Sequence, residues 1–133
     1  MHNNFEISDL KKASSYLKKN KVLTQSKNVK KFEKKWSKWL GVKYSVFVNS
    51  GSSANYLSLL CLKIVYGNKG EIIVPTLTWI SDIVSVINNG YKPIFADIDP
   101  KNLCISESEI LKKISKKTKA VFITHAQGFN GLT

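Results

Sequence analysis

The fold class is decided by one stretch of sequence, EIIVPTLTWISDIVSVI, at positions 71–87. Its first part, Glu71–Val74, is a short run rich in β-branched residues that Pro75 closes, which is typical of a buried strand. From Ile80 onward, apolar residues recur at i, i+3, i+4 and i+7, which predicts an amphipathic helix ending near Gly90. A strand that leads directly into such a helix is the repeating unit of α/β proteins.

The same alternation extends outward from this stretch in both directions. Further strand-type runs occur at Tyr44–Val48, Pro93–Asp97 and Ala120–Thr124, and helical patterns separate them. After two leading helices the order is therefore β-α-β-α-β-α-β. This order predicts an α/β fold with a mostly parallel sheet flanked by helices. The spacing of apolar residues leaves the order of the strands within the sheet open.

Each predicted helix carries its own signals. The two leading helices are an amphipathic segment from Ser8 to about Lys19 and a second helix that ends at Gly41, a typical stop residue. The segment Ala54–Tyr66 is apolar nearly all round, so we expect it to be buried on most sides. Ser106 and Glu109 have the spacing of a capping box at the start of a further helix.

Composition excludes several classes of protein. The chain has 133 residues and a net charge of +12, all of its 21 basic residues are lysines, and no apolar run approaches the ~20 residues of a membrane span. The N-terminus lacks a signal-peptide pattern, so we expect a cytoplasmic protein without a membrane partner. Cys61 and Cys104 stand far apart, which indicates neither a disulfide framework nor a zinc site. The scattered lysines favour solvated helix faces. Nonspecific nucleic-acid binding, which would weaken steeply with salt, is the least favoured alternative.

One candidate site is the polar turn before the third helix, Asn49–Asn55. Ligands in open α/β sheets bind at the carboxyl ends of the strands. Gly51 lets a ligand approach the backbone, and the N–H groups of Ser52, Ser53 and Ala54 are expected to be the free donors of a helix N-terminus, an arrangement that suits a phosphate. An ordinary serine cap after a turn explains the same residues equally well. The turn matches neither a P-loop nor a dinucleotide-binding fingerprint.

Two more segments follow strands. In Pro75–Trp79, the indole of Trp79 has the character to stack on an aromatic ligand, although a core aromatic residue is the more frequent explanation. In Thr124–Gly128, a lone His125 is more often structural than catalytic. Neither segment identifies a function alone.

Together, these segments resemble the DegT/DnrJ/EryC1/StrS family of pyridoxal-phosphate (PLP)-dependent sugar aminotransferases and related dehydrases. The resemblance covers nearly the whole chain in order, which makes it more specific than any single motif. The segments that carry it are Leu23–Gln25, Val29–Glu33, Leu40–Tyr44, Val48–Ala54, Glu71–Trp79, Lys92–Pro100, Lys117–Val121 and the strand that leads to His125 and Gly128.

The resemblance implies the N-terminal portion of the large domain of a type I PLP-dependent transferase, similar to aspartate aminotransferase. Residues 1–41 would be N-terminal helices, and residues 42–133 the start of the PLP-binding α/β domain. By the same resemblance, the cofactor pyridoxal 5'-phosphate has its phosphate held by Gly51, Ser52 and Ser53 and its ring stacked on Trp79. Ser52 replaces the threonine usual in the family and keeps its hydroxyl.

The resemblance also implies a reaction. Family members transfer an amino group from an amino-acid donor, typically glutamate, to a nucleotide-linked keto-sugar for amino-sugar and surface-polysaccharide synthesis, and they act as homodimers. Their Schiff-base lysine and the acid at the pyridine nitrogen match no position of this chain, so we expect the 133 residues alone to be inactive. Alternatives are a pyridoxamine-phosphate-dependent sugar 3-dehydrase, which carries a histidine in place of that lysine, and a non-catalytic module that binds a phosphorylated ligand.

Overall fold

The computed structural model describes residues 4–19 and 22–132. Residues 1–3 and 133, at the two ends of the predicted segments 1–41 and 42–133, and positions 20–21 lie outside the described residues. The chain forms two compact units, Met1–Phe47 and Val48–Thr133. Each unit is described by itself.

The first unit contains the two predicted leading helices, which the structure confirms. Helix α1 spans Ile7–Lys19 and helix α2 spans Lys27–Leu40. The side chain of Ser26 caps α2 by accepting the N–H of Asn28. Gly41 ends α2 in the left-handed region at φ +76°, as its stop signal predicts.

The strand predicted at Tyr44–Val48 is wrong. This run is irregular, and Tyr44 and Val46 are exposed. The N–H of Phe47 donates to the carboxylate of Glu33 at 2.9 Å instead of to a neighbouring strand. A strand exists only where a second strand completes its hydrogen bonds, and within the described residues this run has no such partner.

The second unit alternates helices and strands. Its elements are helix α3 (Gly51–Tyr66), strand β1 (Glu71–Pro75), helix α4 (Ile80–Asn88), strand β2 (Lys92–Ala96), the short strands β3 (Ile98–Asp99) and β4 (Cys104–Ile105), helix α5 (Glu107–Lys113), strand β5 (Thr118–Val121) and a 3-10 turn (Ala126–Gly128).

The main sheet has the order β2-β1-β5, and both neighbours of β1 run parallel to it, which confirms the predicted parallel sheet. Side chains of β1 alternate between the two faces of the sheet. Ile72 and Val74 pack with Leu59 and Val86 on one face, whereas Ile73 packs with Ala96 and Ile105 on the other. Strands β3 and β4 form a separate antiparallel pair.

Three local predictions differ from the structure. Helix α3 has Leu59 as its single buried residue in the described chain, and Ile64 is exposed, so the expected burial on most sides is wrong. The capping box is also wrong, because the hydroxyl of Ser106 bonds to Ser108 and makes no cap bond, while Glu109 contacts Lys112. Strand β5 begins and ends earlier than predicted. Its pairing continues through the N–H of Phe122, which donates to the carbonyl of Ile73 at 2.8 Å.

None of the described helices combines the length and the apolar character that crossing a bilayer requires.

Candidate functional site

The candidate site lies where the parallel strands of the second unit end. Loops leave this edge of the sheet after β1, β2 and β5, and each begins with a polar residue or reaches one within three positions. Helix α3 runs back toward the start of β1, so its N-terminus lies at the same edge. An edge where strand ends and a helix N-terminus meet is the usual ligand-binding position of an open α/β sheet.

The first turn of α3 is closed by its own serines. The side chain of Ser50 accepts the N–H of Ser53 at 3.1 Å, and the hydroxyl of Ser53 donates to the side-chain oxygen of Asn49 at 2.7 Å. The N–H of Ala54 donates to the carbonyl of Ser50 at 3.1 Å. Ser53 and Ala54 therefore do not offer the free N–H groups that the sequence predicts, because the cap and the first helical bond use them.

The remaining donors of this turn are open. Among the described residues, none accepts a hydrogen bond from the N–H of Gly51 or of Ser52. A Cβ atom placed on Gly51 would meet nothing within 4 Å, so there is space for a ligand in front of the backbone. The first turn also lacks an acidic residue. The helix dipole therefore leaves this end electropositive and suited to an anion.

Trp79 lies on the surface of the protein. It is the N-cap residue of α4, and 76% of it is exposed. The alternative that Trp79 is a core aromatic residue is therefore wrong. An exposed indole at the mouth of the sheet is available to a ring ligand, as its position after β1 suggests.

A polar cluster around Asp82, which sequence reasoning missed, joins the candidate segments. Its members are Asn55, Thr78, Asp82 and Thr124, which we call the Asp82 cluster. The amide of Asn55 donates to Asp82 Oδ1 at 2.7 Å, and the hydroxyl of Thr78 donates to Asp82 Oδ2. The hydroxyls of Thr78 and Thr124 lie 2.7 Å apart.

The cluster fixes which segments are neighbours. Asn55 lies one turn beyond Ser52 on α3, and Thr78 directly precedes Trp79. The bonds through Asp82 therefore bring the polar turn Asn49–Asn55, the phosphate-type turn, close to the indole loop, which is the segment Thr76–Trp79.

The apolar spacing of the predicted helix gave no signal for Asp82, which lies away from the face of Ile80, Ile83, Val84 and Ile87. Helix α4 instead buries the side that carries Asp82, Ser85 and Val86. A charge at such a position requires a partner on the neighbouring element.

The remaining polar residues of this edge hold the loops in place. The hydroxyl of Thr76 donates to Asp97 at 3.1 Å, which ties the ends of β1 and β2. His125 Nδ1 accepts the N–H of Gly131 at 3.0 Å and thereby shapes the last described turn. Within the described residues, no group of three or more histidine, cysteine, aspartate or glutamate side chains has the arrangement of a metal site.

Comparison with known proteins identifies the family to which the chain belongs. The sequence profile of the DegT/DnrJ/EryC1/StrS aminotransferase family matches residues 5–130. The chain belongs to this family. It is 35% identical to GDP-perosamine synthase of Vibrio cholerae over 107 residues, which cover 80% of this chain and 29% of that enzyme. It is 34% identical to GDP-4-keto-6-deoxy-D-mannose 3-dehydratase of Yersinia pseudotuberculosis over 111 residues, 80% of this chain and 28% of that enzyme.

A solved structure gives the fold. The chain superposes with a TM-score of 0.80 on the Escherichia coli GDP-4-keto-6-deoxy-D-mannose-3-dehydratase with bound hydrated PLP, at 31% identity, covering 92% of this chain and 32% of that one. The predicted fold is therefore confirmed as the N-terminal α/β portion of PLP-dependent aminotransferases. This member of the DegT/DnrJ/EryC1/StrS family spans just under a third of the length of these relatives.

Proposed function

We propose that the protein acts as a PLP-dependent sugar aminotransferase and that this segment supplies part of its cofactor pocket. The observation that carries the proposal is the bond between Asn55 and Asp82, which joins the open N-terminus of α3 to the loop of the exposed Trp79. A phosphate donor set beside an aromatic platform is what a phosphorylated aromatic cofactor requires. Membership of the family supports the choice of PLP.

The residues present fit that cofactor in a specific way. The N–H groups of Gly51 and Ser52 and the hydroxyl of Ser52 would bind the phosphate, helped by the dipole of α3. Ser53 would reach the phosphate only by releasing its bond to Asn49, and otherwise it shapes the turn. Trp79 would lie on the pyridine ring and orient it. When bound, PLP supplies an electron sink for chemistry at the amino group.

Within the proposal, the reactive amine comes from elsewhere in the protein. Of the segments at the carboxyl edge, residues 49–55, 76–82 and 122–128 contain no lysine, and Lys101 in the loop after β2 stands in no context that resembles the Schiff-base lysine of the family. We therefore propose that residues 1–41 are N-terminal helices, that residues 42–133 begin the cofactor-binding domain, and that the 133 residues alone bind PLP without turning over substrate. The whole protein would act as a homodimer in the cytoplasm.

The proposed reaction moves an amino group from glutamate to a nucleotide-linked keto-sugar. Glutamate would leave as 2-oxoglutarate, and the sugar would gain the amine in place of its keto oxygen. Two relatives are named for GDP-linked sugars, which makes GDP-4-keto-6-deoxy-D-mannose the first substrate to test.

A second candidate is the sugar 3-dehydratase reaction. The Yersinia pseudotuberculosis relative with that name matches nearly as well as the synthase does, at 34% against 35% identity. The product separates the two candidates. An aminotransferase yields an amino-sugar and an equal amount of 2-oxoglutarate, whereas a 3-dehydratase removes the 3-hydroxyl of the sugar as water.

The decisive experiment uses the protein expressed from its whole reading frame. We expect saturable PLP binding that Ser52→Ala weakens about tenfold, because one charge-assisted bond to the phosphate is lost. The matched control is Ser108→Ala, a serine on α5 outside the site. Absence of saturable PLP binding to the unaltered protein contradicts the proposal.

The 133-residue chain tests the origin of the amine. After PLP binding and borohydride reduction, we expect mass spectrometry to find no lysine adduct on this chain. A single modified lysine within it would place the reactive amine here and contradict that part of the proposal. Saturable binding without an adduct in the whole protein as well would favour the non-catalytic binding module.

A further inference from the structure

The charge of Asp82 is buried without a countercharge. The residue is 4% exposed, and no lysine or histidine of the described chain forms an ion pair with it. Removing a carboxylate from water costs free energy unless hydrogen bonds replace the lost hydration. Asp82 lies in the first turn of α4, where the helix dipole lowers this cost. Its oxygens are otherwise satisfied by neutral side chains alone.

The hydrogen-bond donors of the Asp82 cluster all point toward the carboxylate of Asp82. An ionised carboxylate only accepts hydrogen bonds, so Thr78 must donate its single hydroxyl proton to Asp82. The 2.7 Å contact between the two threonines then requires Thr124 to donate to Thr78, and the same hydroxyl also lies 3.4 Å from Asp82 Oδ2. Asn55 donates to the other carboxylate oxygen. Every donor therefore points toward Asp82, and the cluster has one consistent arrangement.

Apart from Ser81 of α4 itself, whose hydroxyl lies 3.4 Å from Asp82 Oδ1, the donors come from three different elements. Asn55 belongs to α3, Thr78 to the loop after β1, and Thr124 to the segment after β5. Asp82 is thus the one acceptor shared by the phosphate-type turn, the indole loop and the end of the sheet. Removing it would free the indole loop from α3 at this point.

We infer that Asp82 is a positioning residue, which sets the spacing between the N-terminus of α3 and Trp79 before any cofactor binds. This inference rests on the proposed function, because it assigns a purpose to the cluster through the PLP pocket. Asp82 itself touches neither phosphate nor ring in this role. It acts through the loop that carries Thr78 and Trp79, and geometry rather than charge at the cofactor is what it provides.

The test compares two variants that each remove a buried side-chain hydrogen-bonding group. Asp82→Ala breaks the tie at the carboxyl edge, whereas Tyr91→Phe removes a 2.6 Å bond from Tyr91 to the carbonyl of Gly67, at the opposite end of β2. We expect the Kd for PLP to rise about tenfold in Asp82→Ala and to stay unchanged in Tyr91→Phe, although both variants lose stability. Asp82→Asn keeps the shape and an acceptor for Asn55, so its Kd should stay within about threefold of the unaltered protein.

A second measurement needs no cofactor. Fluorotryptophan incorporation gives a fluorine NMR signal for Trp79, assigned by its loss in Trp79→Phe. Without PLP, we expect this signal to shift or broaden in Asp82→Ala and to stay unchanged in Tyr91→Phe. A merely stabilising role for Asp82 would leave the signal of an exposed indole unaffected.

The outcomes separate the two proposals. If the unaltered protein does not bind PLP, the proposed function fails. If it binds PLP and Asp82→Ala binds equally well with the same Trp79 signal, the positioning role is overturned. Should Asp82→Ala fail to fold, Asn55→Ala removes one donor and leaves the threonine bonds in place, and the same two measurements then decide.

Discussion

At the scale of single residues, the side chain of Trp79 contributes little to the stability of the fold through burial. Because 76% of it is exposed, Trp79→Ala should change the free energy of unfolding by less than about 0.5 kcal/mol. Loss of ring stacking should raise the Kd for PLP about tenfold. Absorbance titration with PLP and thermal unfolding measure the two effects.

The matched control for this prediction is Trp39→Ala. Trp39 is 74% exposed and lies on α2 in the first unit. We expect it to leave the Kd for PLP unchanged. Equal weakening of PLP binding by both substitutions would show that Trp79 has no particular place in the pocket.

Tyr91 makes the free energy of unfolding depend on pH in the alkaline range. It is buried, and desolvation raises the pKa of its phenol above the ordinary value of 10.0. The unfolded chain therefore loses this proton at a lower pH than the folded chain does. The folded state binds more protons above pH 10, so the free energy of unfolding must fall as the pH rises further.

Denaturant unfolding between pH 8 and pH 11 measures this effect. Tyr91→Phe should begin about 1 kcal/mol less stable, because the bond to Gly67 is lost, and should then decline less steeply above pH 10. Tyr66→Phe is the control, since Tyr66 is exposed. An identical decline in Tyr91→Phe and the unaltered chain would contradict the assignment.

At the scale of elements, sequence patterns predicted what local residues determine. The helix stop at Gly41 and the strand at Glu71–Val74 follow from the residues within each element. The run Tyr44–Val48 failed because a strand also needs a partner, which no local pattern reports. The Asp82 cluster was missed for the same reason, since its four members are up to 69 positions apart in the sequence, from Asn55 to Thr124.

Among the described glycines, Gly70 leaves the least space for a side chain. It lies before β1 at φ +147°, and a Cβ there would stand 2.8 Å from the carbonyl oxygen of Lys117. That carbonyl accepts the N–H of Glu71 at 2.9 Å and so starts the pairing of β1 with β5. Gly70→Ala should therefore lower the free energy of unfolding by roughly 2 kcal/mol or more.

The control for Gly70→Ala is Gly51→Ala, where a Cβ meets nothing within 4 Å. Denaturant unfolding should show Gly51→Ala within about 0.5 kcal/mol of the unaltered chain. A Gly70→Ala variant of unaltered stability would mean that β1 and β5 can separate at this end without cost.

At the scale of the whole molecule, two properties oppose each other. The net charge of +12 repels one copy from another, whereas both units expose apolar side chains to solvent. In the second unit these include Ile64 and Val65 on α3, which are 76% and 69% exposed. Salt screens the repulsion and leaves apolar attraction intact, so the balance should move toward association as salt rises.

We therefore predict that the 133-residue chain self-associates. Light scattering should give a mean mass above 15.0 kDa that increases with protein concentration and with salt. The double substitution Ile64→Gln with Val65→Gln should lower that mass, because it removes exposed apolar area from α3, whereas Lys69→Gln in the following turn should not. A monodisperse 15.0 kDa species at high concentration contradicts the prediction, and association that weakens with salt would assign it to charge instead.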